Sequence, residues 1–122
     1  MKYQSRVHKK IFKSRMYDYL QCPRSLAAVY ILTADNELWK YMKERCKDGK
    51  IEFDGISLFK LTPEQYALFA AAKDLYLDET HLALTDLADN KTLPDKTFML
   101  ITKAISIARK GRKIKYETED IY

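Results

Sequence analysis

Pro23-Arg-Ser-Leu-Ala-Ala-Val-Tyr-Ile-Leu32 is the stretch on which the reading of this chain turns. From Leu26 to Leu32 every residue is apolar. Wound at 3.6 residues per turn, such a run leaves no polar face, so it predicts a helix over Arg24–Ala34 covered on all sides by other elements. Pro23 suits the first turn of that helix. Seven apolar residues fall far short of the ~18 to 20 that a membrane-spanning helix needs.

A helix apolar all round requires amphipathic partners, and the flanking sequence supplies them. Upstream, Val7, Ile11, Phe12, Met16, Tyr19 and Leu20 recur at helical spacing and predict a first helix over Ser5–Leu20, with Ser5 as N-cap. Downstream, Asp35 caps a third helix over Asn36–Lys47. It buries Leu38, Met42, Cys46 and either Trp39 or Tyr41, and Asp48-Gly49 stops it. Thr62-Pro63-Glu64 opens a fourth helix that runs to about Leu77, whose Ala67, Ala70, Ala71 and Ala72 predict close approach of a neighbour. A short helical turn falls near Thr85–Asp89. Pro94 opens the last helix, to Lys110, with Phe98, Ile101, Ala104, Ile105 and Ala108 facing inward and Gly111 as its C′ glycine. Between the third and fourth helices, Asp54-Gly55 sits between two alternating runs and predicts a hairpin over residues 50–59, pairing Phe53 with Ile56 and Ile51 with Leu58. Lys113–Glu117 alternates as well and is a candidate further strand.

The expected fold is therefore mainly α: a single domain over residues 1–122, of about five helices with one small β-hairpin, and with residues 1–4 and 118–122 as loose ends. A chain of 122 residues, 47% apolar and 32% charged, fits one globular domain, and three glycines with three prolines argue against a turn-rich sandwich or barrel. Leu26, Val29, Tyr30, Ile31, Phe69, Ile101 and Ile105 are the expected core. The basic start lacks the apolar segment of a signal peptide, and Cys22 and Cys46 form no close pair. The expectation is a cytoplasmic protein with two free, partly buried thiols.

Charge is uneven along the chain, although its net value is only +5. Residues 1–24 hold seven bases against Asp18 alone, and residues 109–122 hold five bases against three acids. Lys2, Arg6, Lys9, Lys10, Lys13, Arg109, Lys110, Arg112, Lys113 and Lys115 are accordingly the candidate nucleic-acid contacts, forming one basic surface if the two ends meet.

Reactive constellations are sparse. His8 and His81 are the two histidines, each read as a surface or capping residue rather than a general base. Together with Cys22 and Cys46 they have the right chemistry for zinc, but their spacing matches no zinc pattern. No glycine-rich phosphate loop occurs, and Asp78-Glu79, Asp86 and Asp89 read as capping and solvated acids. No catalytic residue, metal or cofactor is expected. Residues 85–108 carry the inner spacing of a helix-turn-helix, with Ala88 followed by Leu93, Phe98 and Ile101. The outward set of Asp95, Lys96, Met99, Leu100 and Lys103 is a poor groove reader, which favours a purely structural helix pair.

Several runs resemble a family of short bacterial proteins, of no established function, found with conjugative elements and phages. They are Ser5-Arg-Val-His-Lys9, Ala28-Val-Tyr-Ile-Leu-Thr-Ala-Asp-Asn-Glu-Leu-Trp39, Tyr66-Ala-Leu-Phe-Ala-Ala-Ala-Lys-Asp-Leu-Tyr-Leu77 and Asp86-Leu-Ala-Asp89, with Phe53, Ile56, Leu58, His81-Leu82, Leu93-Pro94, Phe98, Ile101, Ala104, Ile107 and Arg109. The likeness covers most of residues 5–111. It implies a mobile-element setting and carries no catalytic residues with it. Relatives continue from the last helix through an Arg-Phe-Gly-type end, where this chain has the more basic Arg109-Lys-Gly-Arg-Lys113. The functional expectation is a non-catalytic accessory protein that binds nucleic acid. The alternative is an inhibitor of a host defence nuclease, in the manner of an anti-CRISPR protein, acting on a protein partner. No membrane association is expected.

Overall fold

The protein is described by a computed structural model over residues 2–58, 60–111 and 120–121. Its elements in chain order are β1 (Lys2–Tyr3), α1 (Arg6–Arg15) continued by a 3₁₀ turn (Met16–Tyr19), α2 (Pro23–Leu32), α3 (Asn36–Met42) with a 3₁₀ turn (Lys43–Arg45), β2 (Cys46–Lys47), β3 (Lys50–Ile51), α4 (Pro63–Leu77), α5 (Leu84–Ala88), α6 (Asp95–Lys110) and β4 (Asp120–Ile121). The fold is mainly helical with one small antiparallel hairpin.

Helix α2 is the centre, as its composition requires. Every residue from Ser25 to Leu32 is buried, and α2 packs most extensively against α4 and α6. Both neighbours run antiparallel to it. Arg24 at its start pairs with Asp78 at the end of α4 at 3.0 Å, and Asp35 just beyond its end accepts from Gln65 Nε2 near the start of α4 at 3.1 Å. The end of α6 meets the start of α2 so closely that a Cβ on Gly111 would lie 2.9 Å from Pro23 Cγ; Gly111 also has φ +55°, which side chains rarely adopt. Alanines at 27, 28, 67, 71, 72 and 104 are buried at these contacts. Thr97 at the start of α6 donates to Glu64 at the start of α4, which fixes those two helices as parallel.

Caps place the helix ends much as the sequence predicts. Ser5 Oγ accepts from His8 N at 3.1 Å, and Asp35 Oδ1 accepts from Leu38 N at 2.9 Å. Thr62 and Gln65 exchange reciprocal bonds of 3.1 and 2.9 Å.

The structure also corrects the sequence reading in five places. First, the hairpin lies earlier than residues 50–59: Cys46 pairs with Ile51 and Lys47 with Lys50 across Asp48-Gly49. Both turn residues have positive φ, the geometry of a two-residue hairpin turn. Asp54-Gly55 still forms a turn with Gly55 at φ +74°, but no strand follows it at Ile56–Leu58, and Phe59 lies outside the described residues. Tyr19 Oη donates to Lys50 O at 2.8 Å and Tyr76 Oη accepts from Ile51 N at 3.1 Å, so β3 is held by α1's extension and α4.

Second, α1 turns His8 rather than Val7 inward; Val7 is 52% exposed. Third, α6 buries Thr97, Leu100, Ile101, Ala104 and Ile107, while Phe98 and Ile105 are each 39% exposed. Ile105 is therefore not a core residue. Fourth, Lys2–Tyr3 is not a loose end: Tyr3 is fully buried, and β1 pairs in parallel with β4, Lys2 opposite Asp120 and Tyr3 opposite Ile121, while residues 1, 118, 119 and 122 lie outside the described residues. Fifth, Cys22 is exposed and Cys46 fully buried, so neither thiol is partly buried. The candidate strand at Lys113–Glu117 lies outside the described residues.

Candidate nucleic-acid interface

The ten residues of α1 include five bases, Arg6, Lys9, Lys10, Lys13 and Arg15, and no acid. Arg6 and Lys10 are exposed, and Lys9 and Lys13 are half-buried. Arg15 was not among the residues singled out from sequence, yet it organises this face. Its guanidinium donates to Cys46 O at 2.8 Å and lies 5.2 Å from the centroid of the Trp39 ring. α1 is thereby locked to α3, and a groove of about 600 Å³ opens between them, lined by Ile11, Ser14, Arg15, Trp39, Lys40 and Lys43. Lys40 and Lys43 were also missed. They sit between acids in sequence, at Glu37 and Glu44, and only the packing of α3 beside α1 joins them to the basic helix. Glu37 is the one acid lining the groove, and it is bound to Lys40 at 3.0 Å.

Of the second predicted basic group, Arg109 and Lys110 are among the described residues. Gln4 Nε2 donates to Lys96 O at 3.3 Å, which sets the head of α1 beside the first turn of α6. Arg109 and Lys110 are exposed in the last turn of α6. At ~1.5 Å rise per residue they stand roughly 20 Å further along that helix. Lys2 lies on β1, opposite Asp120 in the register of β4. Arg112, Lys113 and Lys115 are outside the described residues.

His8 is a core residue. It is 1% exposed, Gln4 N donates to its Nδ1 at 2.9 Å, and its Nε2 donates to Tyr30 O at 2.8 Å. With one nitrogen accepting and the other donating, the ring is neutral, and burial lowers its pKa to about 4. Tyr3, Phe12 and Tyr30 surround it, with ring centroids 4.9 Å from Tyr30 and 5.3 Å from Tyr3. Both nitrogens are committed to the backbone, which leaves none for a metal or a substrate.

His81 is exposed at the other side of the molecule. Asp74 Oδ1 accepts from its Nδ1 at 2.6 Å, while Asp74 Oδ2 accepts from His81 N at 2.7 Å and Leu82 N at 2.8 Å. With Glu79, these two form the one group of potential metal-binding atoms within 4.8 Å among the described residues. The Asp74 carboxylate is already engaged by three donors, so the group reads as a clamp on the turn after α4. Asp86 and Asp89 act similarly: Asp86 accepts from Ala83 N at 2.8 Å, and Asp89 accepts from Lys91 N and Thr92 Oγ1, both at 3.0 Å.

Residues 85–108 do not pack as a helix-turn-helix. α5 has five residues, none of them buried; Ala88, which a crossing helix would cover, is exposed. Phe98 faces outward and Leu100 inward, the reverse of what the motif needs. α6 packs against α2 and α4 instead. No described helix is long and apolar enough to cross a membrane. Compared with known protein families, curated proteins and solved structures, the chain matches none.

Proposed function

We propose that this is a non-catalytic, nucleic-acid-binding accessory protein of a bacterial mobile element, with α1 and the adjoining side of α3 as its contact surface. The observation that carries the reading is an acid-free basic helix, α1, whose Arg15 lines one groove together with Lys40 and Lys43. Phosphates are the natural partner of such a face, since base-specific readout needs a different set of outward side chains. The mobile-element setting rests on the family resemblance. The alternative, an inhibitor of a host defence nuclease, draws support from Phe98, Met99 and Ile105, apolar residues on α6 that are each 39% exposed and would suit a protein partner.

Fluorescence anisotropy with random duplex and single-stranded oligonucleotides at two salt concentrations tests the first reading. Affinity falls steeply with salt, with a log–log slope near −0.9 per phosphate contacted on a duplex. Replacing Lys10, Lys40 and Lys43 with Gln flattens that slope by up to about three units. Replacing Arg109 and Lys110 with Gln leaves it unchanged if the α1–α3 face alone is used. Absence of binding at tens of micromolar protein in low salt, against the roughly 10⁻⁴ to 10⁻⁶ M expected of non-specific contacts, overturns the reading in favour of the protein inhibitor.

A further inference from the structure

A second cavity, of about 370 Å³, lies between α4 and the segment from His81 to Leu93. Its volume falls within the range of small-molecule sites. Phe69 and Leu93 are buried in its floor, with Ala67 and Ala70; Tyr66, 56% exposed, forms one rim. The segment across from α4 is held by polar bonds as well as by Leu82, Leu87 and Leu93 packed on the core. Asp74 fixes the backbone at His81 and Leu82, Asp86 fixes Ala83, and Asp89 fixes Lys91 and Thr92.

Two opposite charges line this cavity without pairing to each other. Lys73 is half-buried and makes no ion pair among the described residues. Asp86 spends one oxygen, Oδ2, on Ala83 N and is otherwise exposed. His81 is oriented by Asp74: an ionised carboxylate only accepts, so Nδ1 carries the proton shared with it and Nε2 is the nitrogen left for a ligand. An apolar floor with rings at 66 and 69, and a mouth bearing a cation and an anion, complements a molecule that is itself apolar at one end and zwitterionic at the other. We infer that this cavity binds a free aromatic α-amino acid, its ring laid on the apolar floor beside Tyr66, Ala70 and Leu93, its carboxylate toward Lys73 and its ammonium toward Asp86. The site shares no residue with the α1–α3 groove and does not depend on nucleic-acid binding.

The test is a ¹H–¹⁵N NMR titration of the whole protein with L-tryptophan, compared with tryptamine, which lacks the carboxylate, and 3-indolepropionate, which lacks the ammonium. Tryptophan shifts amides in residues 66–73 and 81–93 with a dissociation constant at or below about 1 mM, the affinity reached by ligands of this size. Each truncated analogue binds about tenfold more weakly, the worth of one charge-assisted contact. Lys73→Met weakens tryptophan about tenfold and leaves tryptamine unchanged, a pattern that general loosening of the fold does not give. Equal binding of tryptophan and either analogue, shifts scattered beyond those residues, or no shifts at about 10 mM ligand overturns the proposal. Should Lys73→Met fail to fold, the three ligands on the native protein still decide it.

Discussion

α2 and α5 are both short helices, and they are held in opposite ways. α2 buries eight consecutive residues and depends on apolar area; its start carries one exposed ion pair, Arg24 to Asp78. α5 buries nothing, and Leu84 at its start is 83% exposed. The segment around α5 is tied down by three carboxylates, Asp74, Asp86 and Asp89, that accept from backbone amides. Burial through α2 is shared with every element it touches, so disturbing it is felt across the molecule. Carboxylate clamps act locally, and what they hold can open while the rest stays folded. The contrast separates the part of the chain that determines the fold from the part that shapes the cavity beside α4.

The sharpest challenge to this contrast is truncation at matched sites. Leu26→Ala removes a fully buried side chain from α2 and lowers stability by ~2 to 5 kcal/mol, whereas Leu84→Ala at the start of α5 changes it by less than about 0.5 kcal/mol. Urea denaturation of both variants decides it; similar losses would erase the distinction.

A pH titration probes the same core from another side. His8 is neutral in the fold, with its pKa lowered from 6.5 to about 4, so the unfolded chain binds a proton at a pH where the folded one does not. Its contribution is fully present above pH ~6.5 and is lost as pH falls towards 4, by about 3 kcal/mol at most. His8→Gln removes this pH dependence between 4 and 6.5, at the cost of a lower baseline. An unchanged slope in that variant would rule out His8 as the source of the pH dependence.

A more local effect is expected at a clamp. Asp74→Ala leaves two backbone amides without their acceptor and costs ~1 to 3 kcal/mol locally. Hydrogen exchange registers it as faster exchange at His81 and Leu82, with α2 amides unaffected. Acceleration throughout α2 would mean that the clamp and the core open together.

Much of this division was legible in the sequence, and the exceptions share a cause. Caps and stops are local, so Ser5, Asp35, Thr62 and Gly111 mark helix ends reliably. The choice of inward face was harder, because α1 and α6 each offer two apolar options. His8 displaced Val7 because both of its nitrogens found backbone partners, at Gln4 just before α1 and at Tyr30 on α2. On α6, Leu100 and Ile107 won over Phe98 and Ile105 because α2 and α4 together set the rotation of that helix. Of two Asp-Gly turns, the one that pairs is supported by Tyr19 and Tyr76, 31 and 25 residues from the strand residues they hold.

 Tyr19 precedes the Asp48 turn by 29 residues and its bond to Lys50 spans 31, while Tyr76 follows Ile51 by 25. Contacts of that range leave no trace in local pattern. The same holds for the candidate interface. The acid-free run of α1 could be read directly, but the share taken by Arg15, Lys40 and Lys43 depends on α3 lying beside it.

The antiparallel seating of α2 between α4 and α6 has a consequence for synthesis. α2 is complete at Leu32, but the second of its covering helices ends only at Lys110. At the ~5 to 20 residues per second of translation, an all-apolar helix waits on the order of ten seconds for its last wall. Until then the nascent chain carries an uncovered, greasy segment near its start. The protein therefore matures by closing from its far end, and any truncation before α6 leaves a product prone to aggregate.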